Sequence, residues 1–240
     1  MSPLATNGFL DRLSPELRQS LLTRLEPVAL PLRTGIYSPG ASPKHIHFIT
    51  SGFASVVTTM LNGDSIEVGL VGREGVPEVL HLIGPTPAIA ECFIQLAGTA
   101  LRMDFKAFEQ EFFPLDPVRR LVLEQVQYTA LTMGQIAACN RLHEVEERLA
   151  RWLLMVADRI GQDHFYLTQE FLSEMIGSRR STVTITAGTL KRANLIDYNR
   201  GQIRILDRPA LEDVACECYP ITQRLLHSLD GEEAARTVLA

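Results

Sequence analysis

The sequence predicts an α+β fold with an N-terminal β domain, one long helix and a C-terminal winged helix-turn-helix. Three observations lead to this fold class. Short apolar runs alternate with glycine turns from Val28 to Asp104, as in a sandwich, roll or barrel. Apolar residues then recur at helical spacing from about Val118 to Cys139. Finally, two helical segments joined by a glycine turn precede a basic hairpin between positions 168 and 205.

Composition limits the class of protein before any motif is considered. The chain has 240 residues, a net charge of −5 and 46% apolar residues, which fits one large or two modest globular domains. Its start lacks the pattern of a signal peptide, and no apolar run reaches the length of a membrane span. We therefore expect a soluble, cytoplasmic protein without a membrane partner.

The β domain, with short flanking helices, is expected to occupy residues 1–114. Ser14 and Pro15 predict the start of a helix over about 15–25. Asn62-Gly63 between two strand-like runs predicts a hairpin. Asp104 is a plausible cap for a helix that carries three phenylalanines.

The long helix is expected over residues 115–141. It has two apolar faces, one for its own β domain and one for a twin helix, and a single buried helix is the alternative. One face steps by four and three residues, which is the spacing of a coiled-coil seam. We predict that this face forms a dimer interface made of Val122, Val126, Thr129, Met133 and Ile136.

The third region, residues 142–240, contains the features of a DNA-binding domain and a C-terminal helical extension. Thr168 is expected to cap a helix that ends at Gly177, and a second helix follows over about 179–192. On a helical wheel this second helix has a buried stripe of Val183, Ala187 and Leu190, with short polar residues opposite. The hairpin over 197–205 would be the wing.

Local charge supports an interface with double-stranded DNA. From Ile176 to Arg208 there are seven basic and two acidic residues, which gives +5 inside a chain of −5. Serine, threonine and arginine can bond to phosphates or base edges, and glycine permits close approach. The predicted DNA contacts are Thr168, Gln169, Arg179, Arg180, Ser181, Thr182, Thr184, Ile185, Gly188, Arg192, Arg200 and Arg204.

Three segments carry a resemblance to a known family: "GIYSPG" followed by "IHFITSGFASVV", then "RLARWLL", then "LTQEFLSEMIGSRRSTVTITAGTLKRANLI". With them, the chain resembles the Crp/Fnr family of bacterial transcription regulators along nearly its whole length. "ACNRLHEVEERLARWLLMVADRIG" and "CECY" resemble a subgroup with few assigned effectors.

The resemblance implies a double-stranded β-roll like that of cyclic-nucleotide-binding domains, followed by a dimerisation helix. It also implies a homodimer on a pseudo-palindromic operator and a hinge near 140–144 that passes the effector signal. RNA polymerase would be a further partner of an activator in this family.

Two departures from the family pattern matter. In members that respond to cyclic AMP, a glutamate and a second arginine help read the bases, whereas Ser181 and Ile185 stand here and only Arg180 matches. From Glu74 to Leu101 there is no lysine or arginine to hold a cyclic-nucleotide phosphate, so cyclic AMP is not expected to bind tightly. The residues predicted to line an effector pocket are Glu78, His81 and Cys92.

Other chemistries find little support in the sequence. His45 and His47 lie on one face of a strand, as in cupin metal sites, but no acid follows before Asp64, so surface histidines are preferred. His81 and Cys92 could ligate haem, but their spacing does not require it, and the absence of earlier cysteines excludes an N-terminal iron–sulfur cluster.

Cys216 and Cys218 would not share a face of a helix, which favours a packing role over metal binding or oxidant sensing. We therefore predict a regulator that is not an enzyme and has neither cofactor nor metal. A cupin-like metal-dependent enzyme and a constitutive repressor without an effector remain the alternatives.

Overall fold

The computed structural model describes residues 6–84 and 87–229. Its N-terminal part is built from two short helices, five strands, a 3-10 turn and a third helix. In chain order these are α1 (Gly8–Asp11), α2 (Pro15–Leu22), β1 (Glu26–Leu30), β2 (Gly35–Tyr37), β3 (His45–Thr59), β4 (Ser65–Val71), the 3-10 turn Val79–Leu82, β5 (Glu91–Asp104) and α3 (Phe105–Glu111).

The five strands form one antiparallel sheet in the order β1-β5-β3-β4, with β2 also paired to β5. Two of these strands are long, so the expectation of uniformly short strands was wrong. Gly52 and Gly98 lie inside β3 and β5 at irregular register and do not end the strands. A Cβ on Gly98 would meet the Ser51 carbonyl oxygen at 1.9 Å, so these glycines permit close crossing of the two strands as the sheet folds over.

The helix caps predicted at Ser14 and Asp104 are present in the structure. Ser14 accepts a hydrogen bond from the backbone of Leu17, although α2 ends at Leu22, three residues earlier than predicted. Asp104 accepts from the backbone N–H of Ala107 at 2.8 Å and starts α3. The hairpin at Asn62-Gly63 joins β3 to β4, and Gly63 has a φ of +89°.

The long helix α4 (Asp116–Leu142) follows, with Leu115 rather than Asp116 at its N-cap. Its predicted dimer seam packs on its own chain. Val122 and Ile136 are 1% and 2% exposed in the cores formed with the N-terminal part and α5, so their assignment to a dimer interface was wrong. Val126, Thr129 and Met133 on the same side are half-buried. The side of α4 that faces solvent carries Leu123, Gln127, Ala130, Gly134 and Ala137.

The C-terminal part contains α5 (Val145–Ile160), β6 (His164–Tyr166), α6 (Gln169–Ile176), α7 (Arg180–Arg192), β7 (Ile196–Asn199), β8 (Gln202–Ile205), α8 (Arg208–Val214) and α9 (Cys218–Ser228). The strands form a small antiparallel sheet in the order β6-β8-β7. The sequence did not indicate β6. Gly161, with a φ of +65°, ends α5.

The C-terminal extension contains two helices separated by a break at 215–217. Pro220 lies in the first turn of α9, where the missing N–H removes no helical hydrogen bond. Cys216 therefore precedes the helix and Cys218 begins it, so the argument that two cysteines on one helix cannot share a face does not apply.

The two parts share one core. Phe53, Leu70 and Phe93 of the sheet pack in the same buried cluster as Trp152 and Leu153 of α5. The guanidinium of Arg33 lies 3.9 Å from the centre of the Phe171 ring in α6. Among the described residues, no helix is both long enough and apolar enough to cross a membrane.

Candidate nucleic-acid interface

The pair α6 and α7 is joined by a three-residue turn. Thr168 caps α6 by accepting a hydrogen bond from the backbone of Phe171 at 3.3 Å. Gly177 ends that helix with a φ of +60°, a conformation that favours glycine. Arg179 is the N-cap of α7, which starts at Arg180 and ends at Arg192, close to the predicted 179–192.

The two faces of α7 are confirmed. Val183 and Leu190 are fully buried and Ala187 is 2% exposed, so the predicted stripe anchors the helix in the core. The opposite face is open to solvent, and Ile185 is 68% exposed, which is unusual for an isoleucine. Four other residues predicted for this interface are also exposed on α7: Arg180, Ser181, Thr184 and Arg192. Thr182 and Gly188 are half-buried.

Threonines on α7 form hydrogen bonds within the helix. Thr184 Oγ1 donates to the carbonyl of Arg180 at 2.8 Å, and Thr189 Oγ1 donates to that of Ile185 at 3.2 Å. Because its proton is donated within the helix, the Thr184 hydroxyl offers only its lone pairs to a ligand, whereas Thr189 Oγ1 already accepts from the guanidinium of Arg192 at 3.1 Å. A helix with this low intrinsic propensity is held by its buried stripe.

The structure divides the local basic residues into two groups. Lys191 pairs with Asp197 at 2.8 Å, which lowers the pKa of that carboxyl, and Arg208 pairs with Asp158, Asp163 and Glu212. These two cations form ion pairs between elements of the same domain: Lys191 pairs α7 with β7, and Arg208 pairs the start of α8 with α5. In the described chain, the remaining five basic residues form no ion pair with a carboxylate: Arg179, Arg180, Arg192, Arg200 and Arg204.

The wing is the β7–β8 hairpin, turned by Arg200 and Gly201. Their φ angles are +48° and +84°, as a type I′ turn requires. Arginine is an uncommon residue in the left-handed region, where Asn and Gly are favoured. The turn nevertheless places an exposed guanidinium at the tip of the hairpin.

A cleft separates the wing from the start of α6 and α7. It is lined by side chains that include Thr168, Gln169 and Arg180, together with Tyr166 and Tyr198. Neither tyrosine was predicted from the sequence. Tyr166 lies on β6, which the sequence did not indicate, whereas Tyr198 lies in the predicted wing hairpin but was not assigned to the site. Burial raises the pKa of the Tyr198 hydroxyl, and the nearby Tyr166 adds to this rise, so Tyr198 stays neutral.

The residues predicted for an effector pocket lie inside the N-terminal sheet domain. Glu78 is fully buried, and its carboxylate accepts hydrogen bonds from the backbone N–H of His47 at 3.1 Å and from its Nδ1 at 2.6 Å. Cys92 is 1% exposed, and burial raises its pKa. In this conformation neither Glu78 nor Cys92 presents an atom to solvent.

His47 corrects another expectation. It is 6% exposed and paired with Glu78, not a surface histidine. The partner acid lies 31 residues along the chain, which local spacing could not reveal.

His81 is different from its neighbours. Its ring packs edge-on against Tyr37, with ring centres 4.6 Å apart, and burial lowers its pKa. Neither ring nitrogen has a hydrogen-bond partner within the described residues. Among the three predicted pocket residues, His81 thus retains unused donor and acceptor capacity.

The family model of the Crp-like helix-turn-helix domain matches residues 147–214, from the first turn of α5 to the end of α8. This chain carries a Crp-like helix-turn-helix domain. The Crp/Fnr resemblance of the sequence is thereby confirmed for the helix-turn-helix region. No curated protein sequence matches the chain at a significant level.

Solved structures share the fold over 80–85% of this chain. FixK2 from Bradyrhizobium japonicum superposes with a TM-score of 0.69 at 12% identity, covering 80% of this chain and 98% of its own. A Crp/Fnr-family regulator from Eubacterium rectale gives 0.67 at 15% identity, covering 85% and 95%. The c-di-GMP-responsive regulator CLP from Xanthomonas campestris gives 0.64 at 14%, covering 80% and 99%. These likenesses confirm the predicted fold: a β-roll, a long helix and a winged helix-turn-helix.

Proposed function

We propose that this chain is a homodimeric transcription regulator that reads a two-fold symmetric site in double-stranded DNA. One observation carries the proposal: five arginines without carboxylate partners in the described chain surround the exposed face of α7 and the wing. In a chain of −5, this is a local cationic surface on an element shaped to enter a major groove.

Each part of the surface has a distinct chemical task. Arg179 and Arg180 lie at the N-terminal end of α7, where a guanidinium reaches a phosphate or the O6 and N7 of guanine. The exposed Ile185 offers an apolar contact to a thymine methyl group. Ser181, Thr182, Thr184 and Gly188 line the same side, while Arg192 lies at the end of the helix.

Phosphate contacts come from the flanking elements. Arg200 at the wing tip and Arg204 on β8 face the backbone of the duplex. Thr168 and Gln169 at the start of α6 lie beside Arg180 in the cleft, where a phosphate would meet both a cation and backbone N–H groups.

The homodimer would form through the open side of α4. Leu123, Gln127, Ala130, Gly134 and Ala137 recur at helical spacing on this side and are all exposed in one protomer. Small residues at its centre let two helices approach closely. Two-fold pairing would then place the recognition helices about 34 Å apart, one turn of the duplex.

The β-roll would supply regulation. His81, whose two ring nitrogens have no hydrogen-bond partner among residues 6–84 and 87–229, is the residue most suited to hold an effector. CLP is a regulator that responds to c-di-GMP, but the interior of this roll offers no lysine or arginine between Glu74 and Leu101. We therefore propose an effector that is not an anionic nucleotide, with RNA polymerase as a further partner if the protein activates.

The test is selection of bound fragments from genomic DNA, followed by affinity measurements by fluorescence anisotropy over a range of salt. We expect an inverted repeat and an affinity that falls steeply with salt. Arg180→Ala should weaken binding roughly tenfold to a hundredfold. Arg73→Ala is the matched control, because it removes the same charge from an exposed site on the β domain. No enrichment of any sequence, or equal affinities of the two variants, would refute the proposal.

A further inference from the structure

Four potential metal ligands meet where the long helix ends. Cys139 and His143 come from the last turn of α4 and the residue after it. Cys216 lies in the break before α9, and Cys218 is the first residue of that helix. Their ligand atoms all lie within 4.8 Å of one another. Within the described chain, no other group of three or more such side chains comes together in this way.

The distances suit one tetrahedral ion. With zinc–sulfur bonds of about 2.3 Å and zinc–nitrogen bonds of about 2.0–2.1 Å, a tetrahedral site separates two sulfurs by about 3.8 Å and a sulfur from a nitrogen by about 3.6 Å. The sulfurs of Cys139 and Cys216 are 3.5 Å apart, and Cys218 Sγ lies 3.6 Å from Nδ1 of His143. An iron–sulfur cluster would hold its cysteines further apart, because several atoms lie between them.

Neighbouring groups orient these side chains as they do around bound metals. Nε2 of His143 lies 3.1 Å from a carboxylate oxygen of Glu217, so the ring can donate its proton there and leave Nδ1 free to bind a metal. Nε2 of Gln135 donates to Cys218 Sγ at 3.0 Å. All three cysteines are at most 4% exposed, whereas the His143 side chain is 19% exposed and offers a route for the ion.

The buried charges around the four ligands also favour a bound metal. Zinc with three thiolates and one neutral imidazole carries a net charge of −1. Arg148 and Arg151 are buried nearby, and in the part of the chain that the structure describes neither forms an ion pair with a carboxylate. Arg148 donates to the carbonyl of Asn140, the residue after Cys139. Buried cations need compensation, and an anionic metal site would provide it.

We propose that Cys139, His143, Cys216 and Cys218 form a structural zinc site. The sequence predicts no metal, because two cysteines two residues apart on one helix would not share a face, whereas in the structure α9 begins only at Cys218. The ion would join the end of α4 to the segment between α8 and α9, across the connection that leads into α5. It would thereby fasten the DNA-binding part of the chain to the long helix.

A consequence for DNA binding rests on the function proposed above. The connection at 143–144 is where the orientation of the DNA-binding part could change relative to α4. A metal that holds α9 against the end of α4 would restrict that change. Removal of zinc should therefore alter DNA affinity even though no ligand lies on the exposed face of α7.

The first measurement is the metal content of the full-length protein, purified under reducing conditions and supplied with zinc. We expect one zinc per chain by mass spectrometry of the metal, and none after Cys139→Ser or Cys218→Ser. Cys92→Ala is the matched control, since Cys92 is a buried cysteine outside the site, and it should keep its zinc. Glu217→Gln should bind zinc roughly 10–100-fold more weakly.

Cobalt(II) provides a readout on the unmodified protein, in case the variants fail to fold. Cobalt bound by three thiolates in a tetrahedral site gives strong visible bands and a sulfur-to-metal charge-transfer band, which zinc should abolish. The absence of these bands, zinc bound equally by wild type and the serine variants, or a Cys139–Cys216 disulfide that persists in reductant would overturn the site.

DNA affinity is then measured with and without a zinc chelator, as a separate experiment. An unchanged affinity with proven zinc loss would refute the coupling and leave the metal site intact. A protein that binds zinc but no DNA would refute the proposed function alone.

Discussion

The indole Nε1 of Trp152 donates a 2.7 Å hydrogen bond to the Glu67 carboxyl and so ties α5 to strand β4 of the roll. Both residues are buried, at 1% and 2% exposure. Ser55 contributes a second hydrogen bond at 2.5 Å to the other carboxyl oxygen. Burial raises the pKa of Glu67 from its ordinary 4.5 to about 7. A carboxyl that titrates near neutrality therefore lies between the β-roll and the helix-turn-helix part.

Stability should depend on pH through Glu67. The folded chain retains a proton that the unfolded chain releases near pH 4.5, so stability should fall as pH rises from about 4.5 to 7 and level off above. Glu67→Gln keeps an acceptor for Trp152 and cannot ionise. We expect it to be more stable than wild type at pH 8, by up to about 3 kcal/mol, and similar at pH 4.5.

Urea unfolding of both proteins across this pH range measures the effect. Glu109→Gln on α3, an exposed site, is the control and should follow the wild-type curve. Parallel curves for Glu67→Gln and wild type would show that folding does not raise the pKa of Glu67.

A substitution at the wing tip should change DNA affinity without lowering the stability of the fold. Asn is favoured over Arg at positive φ in a type I′ turn, so Arg200→Asn should leave the free energy of unfolding unchanged or slightly higher. It should weaken DNA binding for all sequences and reduce the slope of log affinity against log salt by about 1. Anisotropy titrations with the selected operator measure this slope. A slope that matches that of Arg73→Asn would argue against a phosphate contact.

Dimerisation should depend on the open side of α4. Leu123→Glu puts a charge on the proposed interface, and because Leu123 is 52% exposed in the protomer, the fold should tolerate it. Two-fold pairing would repeat the charge on both helices, so the dimer dissociation constant should rise at least roughly tenfold. Leu142→Glu, at the end of α4 and 75% exposed, is the control. Sedimentation velocity distinguishes them, and an unaffected dimer would place the interface elsewhere.

Cyclic AMP should not be the effector. Its phosphate would find no lysine or arginine between Glu74 and Leu101, and Glu78 is already bonded to His47. Isothermal titration calorimetry should detect no binding with a dissociation constant of about 1 μM or tighter. A binding isotherm with a dissociation constant of about 1 μM or tighter would contradict the prediction that the roll does not bind cyclic AMP.

Features fixed by local chemistry could be predicted from the sequence. The caps at Ser14, Asp104 and Thr168 depend on neighbouring backbone N–H groups, and the faces of α7 follow from its periodicity. The order of these parts was enough to indicate the fold.

Features that arise from distant parts of the chain could not be predicted. Apolar periodicity shows that a face of α4 is buried but not what covers it, so Val122 and Ile136 were assigned to the wrong partner. His47 meets Glu78, and Cys139 meets Cys216, only because the chain folds back over 31 and 77 residues. The hairpin turn around Arg200 was predicted, but its type I′ conformation, with positive φ at Arg200, required backbone angles.

The core that Trp152 shares with Phe53 has a consequence for how the molecule comes apart. A protease cut at residues 143–144 would leave two fragments that stay associated. Their separation would expose the buried rings of Trp152 and Phe53 to water. On heating, the β-roll and the helix-turn-helix part should consequently unfold in a single transition instead of two.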